Sequence, residues 1–77
     1  MAVMNKTLQE LTNEIHSMSG LSEEAISEKL STENDYIARA TFSRWRSGKI
    51  KETSHSRHVR IIDLHKKVTR KNNRKRD

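Results

Sequence analysis

The chain has no cysteine and no proline, and its 77 residues include only two glycines and one each of Phe, Trp and Tyr. Without cysteine there are no disulfides, thiolate metal ligands or thiol nucleophiles, a composition that suits a reducing cytoplasm. Without proline, and with glycine only at positions 20 and 48, almost nothing interrupts a helix. So few aromatic rings are a poor basis for stacking the bases of single-stranded RNA. Long apolar runs are missing too: MAVMNKTLQE at the start lacks the core of a signal peptide, and no stretch is long enough to span a bilayer. A soluble, cytoplasmic protein is expected. Hydrophobic residues make up 31% and charged residues 34%, which limits the chain to one small core.

Acids are scarce in one half and bases in the other. Up to residue 38, Lys6 and Lys29 stand against seven acids, a balance of −5; from residue 39 on, fourteen Lys and Arg stand against Glu52, Asp63 and Asp77, a balance of +11. A strongly basic half points to a polyanionic partner, nucleic acid before an anionic membrane. The apolar anchor of a membrane-surface helix is lacking.

The periodicity is helical throughout. Met4, Leu8, Leu11, Ile15 and Met18 recur on one stripe, predicting a first helix over about residues 5–18 with Thr7 and Glu10 at capping-box spacing, or Asn5 as an earlier cap. Gly20 ends it. Ser22 then caps a second helix to about Leu30, with Glu23 and Glu24 in its first turn and Leu21 and Ile26 placed as a hydrophobic staple. Residues 31–36, STENDY, are turn material in which Asn34 or Asp35 can cap the next helix. That third helix carries Ile37, Thr41 and Trp45 on one line with Phe42 beside them, and ends before Gly48. Ser54 or Ser56 caps a fourth, in which Ile61, Leu64 and Val68 share a face that Val59 and Ile62 broaden. Residues 69–77 hold no apolar side chain and are expected to form a disordered basic tail beyond a domain spanning 1–68.

GLSEEAISEKL followed by IARATFSRWRSGK resembles the phage repressor and Cro type of helix-turn-helix domain, the XRE-like family. Leu21, Ser22, Ile26, Ser27 and Leu30 match its second helix, and Ile37, Thr41, Phe42, Ser43, Arg44, Trp45, Gly48 and Lys49 its turn and recognition helix. Three departures stand out. The separation of Leu30 from Ile37 is longer than the family's tight turn, so that the helices meet at another angle or the third begins early, near Tyr36. Ser31 stands for the usual glycine, and Glu23 for a glutamine that touches phosphate.

The resemblance implies an all-α, lambda-repressor-like domain of four to five helices and a sequence-specific DNA-binding transcriptional regulator, a Cro-like repressor of a phage, mobile element or bacterium. It places Arg39, Ala40, Ser43 and Arg44 against base edges, where an arginine fork suits guanine, and Ser22, Thr41, Arg46, Lys49, Lys51 and Arg57 against phosphates. It also implies a homodimer on a palindromic operator in double-stranded DNA, and association with the nucleoid. The rival reading is a protein-interaction module, an antitoxin or anti-regulator built on a similar fold. His16, His55, His58 and His65 lack a completing ligand at metal spacing, and no nucleophile-base pair or phosphate loop stands out. A non-enzyme without metal or cofactor is expected.

Overall fold

Local signals at the helix ends decide where the elements fall. In the computed structural model, which describes residues 6–74, the order is α1 Leu8–Ser19, α2 Glu23–Leu30, α3 Arg39–Ser47 and α4 His55–Arg74. Thr7 caps α1 through the reciprocal bonds of a capping box: its hydroxyl accepts from Glu10 N at 3.1 Å, while Glu10 Oε1 accepts from Thr7 N at 2.9 Å. Ser22 caps α2, its Oγ accepting from Ala25 N. Gly20 and Gly48 terminate α1 and α3 in the left-handed region, with φ of 70° and 84°. The fourth helix is capped by Ser54, whose Oγ accepts from Arg57 N at 3.3 Å. Met4 and Asn5 lie outside the described residues.

The apolar stripes converge as their spacing predicts. Leu8, Leu11 and Ile15 of α1, Ile26 and Leu30 of α2, Phe42 and Trp45 of α3 and Ile61 of α4 are buried together, and Leu21, Ile50, Ile62, Leu64 and Val68 pack partly against them. Phe42 and Trp45 meet edge to face with centroids 6.5 Å apart. Helix α4 lies against α1 and α2, and α3 packs on α1 and α2 from its own side. Among the described residues there is no strand, and no helix is long and apolar enough to cross a membrane.

Four expectations need correction. Ile37 is buried but precedes α3 rather than belonging to it, so the early start near Tyr36 does not occur. Neither Asn34 nor Asp35 caps α3: Ala38 holds the cap position with no side-chain bond, and the Asp35 carboxylate is engaged by α4 instead. Val59 does not broaden the core face, being 49% exposed. The helix expected to end near Val68 continues through Arg74, with no glycine or proline to stop it; residues 75–77 of the expected tail lie outside the described residues.

The connector over residues 31–38 closes on itself. Thr32 and Asp35 exchange backbone bonds of 2.9 and 3.2 Å across a tight turn. Ser31 Oγ donates to Ser27 O and accepts from Ile37 N, both at 2.8 Å, pinning the two ends of the excursion to the foot of α2. A glycine at position 31 has no hydroxyl with which to make this clasp.

Candidate functional site

Helix α3 is divided lengthwise. Phe42 and Trp45 are 0% and 1% exposed, whereas Arg39, Ala40 and Arg44 are exposed and Ser43 is half-buried on the other side. At 3.6 residues per turn, Ala40, Ser43 and Ser47 run along the middle of the outward face, with Arg39 and Arg44 flanking them. The nine-residue helix contains three arginines and no acid. Its C-terminal turn closes through Gly48, with Lys49 N donating to Arg44 O at 3.0 Å, so the backbone leaves α3 sharply and presents Lys49 and Lys51 to solvent. Exposed Ser22 sits at the start of α2, and Thr41 is half-buried beside the core face of α3.

The cations expected at phosphates fall into two groups. Lys49 and Lys51 are exposed, but Arg46 and Arg57 are held within the fold. The Arg46 guanidinium donates to Asn13 Oδ1 at 2.9 Å and to Glu23 Oε2 at 2.8 Å, while Asn13 Nδ2 donates back to Arg46 O at 3.1 Å. One side chain thereby joins α1, α2 and α3. Arg57 makes a two-pronged contact with Asp35, Nε to Oδ2 at 3.0 Å and Nη2 to Oδ1 at 2.7 Å. Arg60 completes this cluster, reaching Asp35 Oδ2 and, at 2.6 Å, Leu30 O. The bonds from Arg57 and then Arg60 hold the Asp35 carboxyl well below the usual carboxylate range.

Glu23 reads differently once its partners are visible. Its carboxylate, 20% exposed, lies between Arg46 and Arg39, the latter 3.6 Å away and 61% exposed. The negative charge at the start of α2 is balanced within the fold, and Arg39 is loosely tethered over the outward face of α3.

Among the described residues, no group of three His, Cys, Asp or Glu side chains is placed to hold a metal. His65 is buried against α1, its Nε2 2.7 Å from Glu14 Oε1, and Lys6 Nζ bonds the other oxygen of the same carboxylate at 2.9 Å. His65 first, then Lys6, hold the Glu14 carboxyl below its ordinary range.

Asn13 and Arg60 position the site and escaped the sequence reading, which saw Ser31 only as the absence of a glycine. Each acts through a partner distant in sequence or through backbone atoms, for which spacing gives no signal. Compared with known protein families, curated proteins and solved structures, the chain matches none.

Proposed function

We propose that this protein is a sequence-specific binder of double-stranded DNA that regulates transcription, inserting α3 into the major groove with α2 lying across the backbone. The observation that carries this reading is the lengthwise division of α3: two aromatic rings seat one side in the core, while the other side offers two exposed arginines separated by the small residues Ala40 and Ser43. Small side chains let the helix backbone approach base edges, and the flanking guanidinium forks match the O6 and N7 acceptors of guanine. Lys49 and Lys51 then continue the positive charge along the sugar-phosphate backbone.

A nine-residue helix is roughly 13 Å long and reaches only a few base pairs. A homodimer on a palindromic operator, with half-sites about 34 Å apart, supplies the remaining specificity. Repression by occlusion of a promoter asks nothing of the protein beyond this binding.

Selection of binding sites from random duplex DNA tests the proposal, repeated with Arg39→Ala and Arg44→Ala. The expected result is a palindrome whose discrimination relaxes at defined positions in each variant, by about 1–3 kcal/mol per lost guanine contact. Equal affinity for all sequences, with both variants behaving only as lost charge, would refute it.

A further inference from the structure

Away from α3, a groove of about 380 Å³ opens between the C-terminal half of α1, α2 and the second half of α4. Its floor is apolar, formed by Ile15, Met18, Leu21, Leu64 and Val68. Its rim is cationic: Lys29 stands on the α2 wall, Lys67 and Lys71 on the α4 wall, and neither an acid nor any residue of α3 lines it. Lys67 is only loosely engaged by Asp63, at 3.7 Å with both side chains about two-thirds exposed or more.

We infer that this groove docks an acidic amphipathic helix of a partner protein. The volume is at the low end of small-molecule sites, roughly 300 Å³ upward, and accepts a few apolar side chains of a helix laid along it. The charges select the partner. Lys67 and Lys71 are one helical turn apart, about 6 Å along α4, and Lys29 faces them from the other wall. A ligand with one anionic head satisfies one of these cations, whereas carboxylates on successive turns of an amphipathic helix meet both walls at once. A second copy of this chain fits poorly, since two-fold packing on this face sets one lysine rim against another. Phosphates of nucleic acid match the rim but find nothing in the apolar floor. The docking surface shares no residue with α3.

The test uses the full chain and a synthetic helical peptide with leucines at i, i+3 or i+4, and i+7 and glutamates beside them. Titration followed by amide chemical shifts is expected to perturb Met18, Leu21, Leu64 and Val68. The Lys29→Glu, Lys67→Glu, Lys71→Glu triple variant, checked for an unchanged helical signal and melting curve, is expected to weaken binding at least tenfold. Lys49→Glu with Lys51→Glu places negative charge outside the groove, and Arg44→Ala leaves the groove intact; both are expected to bind within about threefold of the parent. Binding that follows net charge alone, shifts centred on α3, or no binding would overturn the inference. So would self-association through this face, or dodecanoate filling the groove while the peptide does not. Because none of these readouts involves DNA, failure here and failure of the operator selection are separate results.

Discussion

Replacing Arg46 by alanine distinguishes a cation that braces the fold from one that serves the proposed DNA contact. The substitution removes the bond to Asn13 Oδ1 at 2.9 Å and the ion pair to Glu23 Oε2 at 2.8 Å, but leaves the bond from Asn13 to Arg46 O, which belongs to the backbone. The two charged side chains are 30% and 20% exposed, so solvent screens the pair only in part. Hydrogen bonds to charged groups contribute about 1.5–3 kcal/mol each when protected, whereas exposed ion pairs contribute about 0.2–1 kcal/mol. An intermediate environment gives a loss of about 2 kcal/mol for the variant. For a domain of this size that lowers the melting temperature by about 8–16 °C. Thermal melts of the parent, Arg46→Ala, Glu23→Gln and the double variant isolate the direct coupling, expected at about 0.5–1.5 kcal/mol and reduced in 1 M salt. The reasoning is refuted if Arg46→Ala melts with the parent and loses as much DNA affinity as Arg44→Ala, because Arg46 would then serve the ligand and not the fold.

Two further outcomes follow from the same geometry. Asp35 and Glu14 both have folded pKa values below their unfolded ones, so the stability they contribute is complete above the ordinary carboxylate pKa of about 4 and is lost as the pH falls below it. Melting temperature is therefore expected to decline below about pH 4, and less steeply in Asp35→Asn; an identical slope in that variant would show that the Arg57 and Arg60 contacts contribute nothing. Gly20→Ala and Gly48→Ala each force a side chain into the left-handed region, at a cost of about 1 kcal/mol. The Cβ at position 48 meets Gln9 Oε1 at 3.0 Å, but that is the end of an exposed, flexible side chain that can swing aside, so the two variants are expected to lose similar stability in denaturant titrations.

What could be read before the structure was local. Thr7, Ser22, Gly20 and Gly48 act on backbone groups within a few residues, and the ends of α1, α2 and α3 fall beside them. Leu11, Ile15, Ile26, Phe42, Trp45 and Ile61 were legible as core because helical periodicity needs no tertiary information. Ile37 shows the limit: the right face was inferred, but the residue reaches the core from an extended segment, since Thr32 and Asp35 spend the preceding residues on a tight turn. The cations were legible as a charged half and not as individuals. Whether Arg46, Arg57 or Lys49 faces outward depends on acids and amides brought in from other helices, and Asn13 is 33 positions from Arg46. The partners of Asp35, Glu14 and Glu23 are invisible to spacing for the same reason.

The clasp between the connector and α4 has a bearing on how such a domain can be recombined. Asp35 belongs to the segment that leads into α3, yet its partners Arg57 and Arg60 are in the first turns of α4, and Arg60 also holds Leu30 O at the end of α2. The setting of α3 is thus written partly downstream of it, in α4. A graft that moves residues 21–49 into another scaffold carries the outward face but leaves its moorings behind. Arg57 and Arg60 are two of those moorings and Asn13 of α1 is a third, which makes them inherited equipment of the turn despite their distance along the chain.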